Sequence, residues 1–222
     1  MENHIVKIIA VEPVTHDVKR FTIEKPEGFK FIPGQATEVS VNTPAFKNEK
    51  RPFTFTSLND NKHLEFTIKI YDSLHGVTKE LGKLKQGDEI IIRDVWGAIE
   101  YKGEGVFIAG GAGIRPFIAI LRQLQMDDKI ANNKLIFTNK TEKDIILKKE
   151  FNEMLGKNFI NTLTNEKKEG YKNGRIDYAF LKEKIDNFKQ QFYVCGPPQF
   201  VTAISEALTL IGAKTDTVVF EN

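Results

Sequence analysis

Four short segments combine glycine, hydroxyl, thiol and guanidinium groups in patterns suited to phosphate and to a flat heteroaromatic ring. The first is "GGAGIRP", residues 110–116, which follows the apolar run "GVFIAG" and leads at once into a helical apolar pattern at Phe117, Ile118, Ile120, Leu121 and Leu124. Backbone N–H groups at the first turn of such a helix point outward and suit a pyrophosphate, and glycine lets the ligand approach without a side chain in the way. Gly110, Gly111, Ala112 and Gly113 would form that cradle, with the Arg115 guanidinium at the helix start facing either a phosphate or solvent. The spacing differs from G-x-G-x-x-G, since no glycine closes the motif at residue 115 or 116. By itself the loop also reads as an ordinary glycine-lined turn between a strand and a helix.

The second segment, "FYVCGPPQF" at residues 192–200, again ends a strand in a tight turn with a helix directly behind it. Cys195 sits at the strand's C-terminal end, where open α/β sheets collect ligands; a small buried apolar residue is the plain structural alternative. The third, "RPFTFTS" at 51–57, places Arg51 ahead of an alternating strand. Arginine there could clamp a phosphate bidentately, and Thr54 could offer a hydroxyl to a ring edge, although threonine is common in strands for its own sake. In the fourth, "HGVTKEL" at 75–81, a glycine and then a hydroxyl open a short helix, a further anion-binding geometry or simply a capped helix.

The elements around these segments fall into two halves. "HIVKIIAVEPV", "VKRFTIEK", "ATEVSV", "PFTFTSL", "HLEFTIKIY" and "DEIIIRDV" are short, β-branched and aromatic, and separated by turn signals such as "KPEGF" and "KQGD". They predict an antiparallel barrel or sandwich, interrupted by one short helix over 75–84. Beyond about residue 102, strands ("GVFIAG", "KLIFTN", "NFINTLTN", "QFYVCG") alternate with helices ("PFIAILRQLQMD", "KDIILKKEFNEML", "DYAFLKEKI", "PQFVTAISEALTLIG"), and "KTDTVVFEN" supplies a last strand. That alternation predicts a doubly wound parallel α/β sheet. Two domains are expected, residues 1–101 and 102–222.

Composition narrows the function classes. The chain is 41% apolar and 28% charged with a formal net charge of +2, so no strong field favours nucleic acid. Cys195 is the single cysteine, which excludes an internal disulfide and a four-cysteine iron–sulfur cluster held by this chain alone. No apolar stretch approaches the roughly 18 residues of a membrane span, and the start lacks a signal-peptide pattern. A soluble, cytoplasmic monomer is expected. His4, His16, His63 and His75 lack metal-ligand spacing, so no metal is expected.

Together and in this order, "RPFT", "GVT", "GGAGIRP" and "CGPP" resemble the motifs of the ferredoxin–NADP reductase superfamily, and the match covers nearly the whole chain. The resemblance implies an N-terminal antiparallel Greek-key β-barrel that binds a flavin, followed by the NAD(P)-binding α/β domain, with the flavin between them. It implies that Arg51 binds the flavin phosphate, Pro52 and Phe53 pack along the ring and ribityl chain, and Thr54 hydrogen-bonds near N5. Backbone at Lys69, Ile70 and Tyr71 would line the flavin, and Gly76, Val77 and Thr78 would hold its pyrophosphate, which favours FAD over FMN. Gly110, Gly111, Ala112 and Gly113 would carry the pyrophosphate of NAD(P)H; Cys195, Gly196 and Pro197 would border the nicotinamide. The implied catalytic set is Thr54, Cys195 and the C-terminal Glu221, with Phe220 either shielding the flavin or lying in a final strand.

The function so implied is an NAD(P)H-dependent flavoprotein oxidoreductase that passes electrons through FAD to a separate carrier, a flavodoxin or ferredoxin. Acidic carriers would meet a basic rim supplied by Lys47, Lys50, Arg51 and Lys69. A reductase of free flavin or another small acceptor is the alternative enzyme, and a non-catalytic nucleotide-binding module the alternative outside catalysis. "TNKTEK" leaves NADH and NADPH open, because Asn139, Lys140 and Lys143 lean toward a 2′-phosphate while Glu142 opposes it.

Overall fold

The computed structural model describes residues 2–71, 76–97, 99–130, 132–213 and, by backbone alone, 218–220. Contacts divide the chain into two compact units, Met1–Gly97 with Arg115–Gln123, and Ala98–Ile114 with Leu124–Asn222.

The first unit is built on β1 (His4–Pro13), β2 (Val18–Ile23), β3 (Ala36–Val41), β4 (Arg51–Thr54), β5 (Leu64–Lys69), β6 (Glu89–Ile92) and β7 (Val95–Trp96), with the short helix α1 (Val77–Leu81). The strands pair antiparallel in the order β4-β3-β6-β1-β2-β5, and β7 joins β3. Between the two ends of that order a bridge from Phe55 to Phe66 nearly closes the barrel. Period-two alternation explains the interior: Val6 and Ile8, Phe21 and Ile23, Val39 and Val41, Phe66 and Ile68, Ile90 and Ile92 all enter one core. Phe31, Phe55 and Phe66 stack at its centre, with centroids 4.3 and 5.1 Å apart. Each such ring contributes about 1.5–3 kcal/mol by leaving water.

The second unit carries β8 (Gly105–Gly110), β9 (Lys134–Asn139), β10 (Phe159–Leu163), β11 (Lys172–Asn173), β12 (Gln191–Cys195) and β13 (Val218–Phe220). All pair parallel, in the order β11-β10-β9-β8-β12-β13. The chain therefore winds outward from β8 to β11 and then returns to lay β12 against the other side of β8. That reversal is the switch point at which parallel sheets bind ligands. Helix α2 (Arg115–Met126) follows β8, α3 (Lys148–Leu155) follows β9, α4 (Tyr178–Lys184) precedes β12, and α5 (Pro198–Ile211) follows it. Phe180 and Leu181 of α4 and Ile204 and Leu208 of α5 pack on Val106, Ile108, Phe192 and Val194 in one core.

Tyr193 is fully buried against Phe107, with centroids 4.4 Å apart. Its hydroxyl donates to the Gly103 carbonyl and accepts from the Lys102 amide, both at 2.8 Å, which fixes the entry to β8. Burial pushes its phenol up to about 12.

The expected helix over 143–155 begins late. Glu142–Asp144 form a 3-10 turn and only Lys148–Leu155 is α-helix. Ile145 and Ile146 are both buried, at 5% and 2% exposure. Consecutive residues of a surface helix lie about 100° apart and share a narrow apolar face poorly, whereas extended backbone at Ile145 lets both enter the core. The expected strand "DEIIIRDV" is split into β6 and the two-residue β7, and β11, also of two residues, is too short to show a period.

Candidate functional site

In the barrel, β4 runs from the surface into the interior. Arg51 and Pro52 are exposed at its start, whereas Phe53 and Thr54 are buried, each 4% exposed. The Phe53 ring belongs to the barrel core. The Arg51 guanidinium donates to the Lys50 carbonyl at 2.7 Å, so its donors stay at the surface. The loop before β4 is held from below by Arg93, which is 4% exposed. Its guanidinium donates to Ser40 Oγ at 2.9 Å and to the Lys47 carbonyl at 3.2 Å.

At the end of β5, Lys69 Nζ lies 2.6 Å from Asp17, and the Ile70 amide donates to the Asp17 carbonyl at 2.8 Å. Burial tends to raise the Asp17 pKa, but the hydrogen bond and charge of Lys69 outweigh it and hold the carboxyl below its ordinary value. The Lys69 side chain is thus engaged in the barrel, which leaves its backbone as the group next to Ile70 and to Tyr71, itself 41% exposed. Gly76 caps α1 at φ 151°, and a Cβ built there would meet no atom within 4 Å. Glycine is required by that backbone, and the space beside it is open. Val77 is buried and Thr78 half-buried behind it.

In the second unit the two glycine turns interlock. Ala109 pairs with Cys195, so β8 and β12 end side by side. Residues Gly111–Ile114 form a 3-10 turn in which Gly113 lies directly on the β12 exit. A Cβ on Gly113 would sit 2.3 Å from the Cys195 carbonyl oxygen and 2.6 Å from the Gly196 nitrogen. Cβ atoms on Gly110 and Gly196 would meet the Phe200 ring at 3.0 and 2.6 Å. Gly111, at φ 52°, has nothing within 4 Å and faces open space, with half-buried Ala112 beside it. Cys195 is 4% exposed, Pro197 is exposed, and half-buried Arg115 opens α2.

Further along the same sheet edge, Thr138 Oγ1, Asn139 Nδ2 and Thr162 Oγ1 are buried without a hydrogen-bond partner. Buried polar atoms of this kind are completed by a ligand or by water. The backbone cradle and these polar groups together fit a nucleotide. Thr138 and Thr162 escaped the sequence reading; the signal for them is a hydroxyl near the C-terminal end of an otherwise apolar strand.

Family models match both halves of the chain. The oxidoreductase FAD-binding domain matches residues 5–101 and the oxidoreductase NAD-binding domain matches residues 107–206. The chain belongs to the ferredoxin–NADP reductase superfamily. It is a flavin oxidoreductase whose cofactors are FAD and a nicotinamide nucleotide. NADH-cytochrome b5 reductase 2-A of Vanderwaltozyma polyspora is 29% identical over 215 residues, covering 89% of this chain and 72% of that protein. The reductase component of propane 2-monooxygenase of Rhodococcus jostii is 25% identical over 235 residues, covering 97% of this chain and 62% of its own length. A ferredoxin NADP+ reductase from Neisseria gonorrhoeae, solved with bound FAD and NADP, shares the fold with a TM-score of 0.84 at 20% identity, covering 100% and 99% of the two chains.

The Phe220 backbone pairs with Val194 on β13, while its side chain, Glu221 and His75 lie outside the described residues. Glu142, read from sequence as opposing a 2′-phosphate, accepts hydrogen bonds from Lys148 at 2.6 Å, from Tyr171 at 2.7 Å and from Lys168. Lys148, Lys168 and Tyr171 together bring its pKa down to about 2. A depressed folded-state pKa gives stability that is present above the ordinary carboxylate range and is lost as pH falls toward 2. Thermal unfolding of the wild type between pH 5 and pH 2 should therefore show a steeper loss of Tm than that of Glu142→Gln; parallel curves would refute the network's role. Among the described residues, no helix is long and apolar enough to cross a membrane.

Proposed function

We propose that this flavoprotein takes a hydride from NADH or NADPH and passes electrons one at a time to a separate carrier protein. The observation that carries the reading is the close approach of Gly113 to the Cys195–Gly196 peptide, which shapes a side-chain-free cradle at the switch point of the sheet. FAD supplies the conversion of a hydride into single electrons. The chain supplies position and dryness. Arg51 binds a flavin phosphate with its exposed guanidinium, Thr54 presents a buried hydroxyl to the ring, and Gly76 and Val77 offer backbone to the pyrophosphate. Gly111 and Ala112 present amides to the nucleotide, and Cys195 borders the nicotinamide.

The names of the relatives support a protein acceptor, because both describe reductases that serve a partner. A flavodoxin or ferredoxin is the carrier inferred from sequence, and a cytochrome b5-type haem protein is the one that the first of those names favours. The visible spectrum of the purified protein tests the reading. Flavin bands that bleach on anaerobic addition of NADH or NADPH are expected, the faster donor giving the nucleotide preference. A colourless protein that neither takes up FAD nor oxidises either nucleotide would overturn it.

Cys195→Ala should slow flavin reduction by about 10- to 100-fold with flavin content unchanged, the scale set by misplacing a reactant by about an ångström. Stopped-flow reduction and a flavin-to-protein ratio check it. Lost flavin with an unaltered rate per bound flavin would contradict the role.

A further inference from the structure

Trp96 is the only tryptophan of the chain, and it is 44% exposed on the two-residue strand β7. An indole left in water on so short a strand does little for the core, whereas exposed tryptophans are enriched among the anchors of protein interfaces. Its register gives it a specific place. Trp96 pairs with Ala36, and Ala36 pairs with Thr54 on its other side. Directly opposed residues of antiparallel strands project to the same face. Thr54, Ala36 and Trp96 therefore form one cross-strand row, in which Thr54 and Ala36 are buried and Trp96 is exposed. Two strand spacings put the backbones of Thr54 and Trp96 about 10 Å apart.

The row is held firmly. The Arg93 amide donates to Thr37 Oγ1 at 2.9 Å, and that hydroxyl donates back to the Arg93 carbonyl at 2.8 Å, which clamps the approach to β7 onto β3. Gly97 follows Trp96 at φ 144°, and a Cβ there would lie 3.0 Å from Gln35 Cα. The turn that the Gln35 amide closes onto the Ile32 carbonyl thus abuts the end of β7, and Ile32 is 49% exposed. Pro52, two residues before Thr54 and so on its face of β4, is exposed as well.

Charge selects the partner. The segment 42–52 carries Lys47, Lys50 and Arg51 against Glu49, with Lys50 Nζ also 3.0 Å from Glu38 of β3, and Arg93 ties it to β3 through Ser40 and the Lys47 carbonyl. Asp94, before Trp96, accepts the Glu2 amide at 3.1 Å. We infer that Trp96 is the apolar anchor for an acidic one-electron carrier protein, docked on the barrel next to the Thr54 end of the flavin site with its acidic rim over the basic segment that carries Lys47. The inference rests on the flavoprotein reductase reading and names the surface through which that reading delivers its electrons.

The test compares FAD-loaded wild type, Trp96→Ala and Trp96→Phe. Ferricyanide, a small oxidant that needs no docking surface, should be reduced within about twofold of the wild-type rate by all three. With a soluble cytochrome b5 haem domain and a plant-type [2Fe–2S] ferredoxin as probes, Trp96→Ala should lose about tenfold or more in kcat/KM for the preferred carrier, the loss expected of an interface anchor. The calorimetric Kd for the oxidised carrier should weaken by a similar factor, and Trp96→Phe should recover much of both. Unchanged kcat/KM and Kd in Trp96→Ala would overturn the inference, as would a wild type that reduces ferricyanide but neither carrier. A wild type that fails with ferricyanide would instead overturn the reductase reading itself.

Discussion

Alanine at Gly113 is expected to slow NAD(P)H-dependent flavin reduction by at least about a hundredfold while FAD remains bound. The added Cβ would lie 2.3 Å from the Cys195 oxygen, 2.5 Å from its carbonyl carbon and 2.6 Å from the Gly196 nitrogen. All three are backbone atoms, so no flexible side chain can swing aside. Overpacking of this kind typically costs 1–3 kcal/mol or more. The paired strands β8 and β12 resist separation, since every residue of β8 is buried and Ala109 is in register with Cys195. The displacement must therefore be taken up in the glycine turn and the Cys195–Gly196 peptide, the elements that cradle the nucleotide. Stopped-flow reduction with a parallel flavin assay decides the matter. A wild-type rate in Gly113→Ala would show that this approach is not needed for nucleotide binding.

Arg51→Ala is the second large effect. Hydrogen bonds to a charged group are worth about 1.5–3 kcal/mol, or roughly 10- to 150-fold in affinity. The variant should purify with much less FAD, and its Kd for added FAD should rise by that factor. Arg51 is exposed and donates to the neighbouring Lys50 carbonyl, so its loss leaves the barrel core untouched. The melting temperature of the apoprotein should hardly move. Arg51→Lys should restore only part of the affinity, because an ammonium keeps the charge without the two-pronged geometry. A flavin-to-protein ratio equal to wild type in Arg51→Ala would dispose of the phosphate clamp.

Local signals made much of this protein legible from its sequence. The strands "ATEVSV", "GVFIAG" and "KLIFTN" have the boundaries that composition and turn residues predict. Asp177, which begins the predicted helix "DYAFLKEKI", accepts the Phe180 amide at 2.8 Å as its cap. These properties depend on a few neighbouring residues, and period, capping and turn chemistry report them directly. The glycine turns and the Arg51 strand could likewise be located as candidates, since a bare backbone or a lone guanidinium at a strand end is itself a sequence feature.

What those candidates touch was settled only by tertiary structure. Gly113 meets Cys195 because the strand order reverses at β8 and places β12 beside it. Phe53 turns into the barrel because β4 closes toward β5 through Phe55 and Phe66. Glu142 reads as one acid in a basic run, and folding delivers Lys148, Lys168 and Tyr171 to its carboxylate. Trp96 gains its position only through two successive pairings, with Ala36 and then Thr54. Residue type and spacing determine the shape of an element and which of its faces is apolar. Which elements become neighbours, and in what register, is decided by the packing of the whole chain, and that packing is what turns separate motifs into a site.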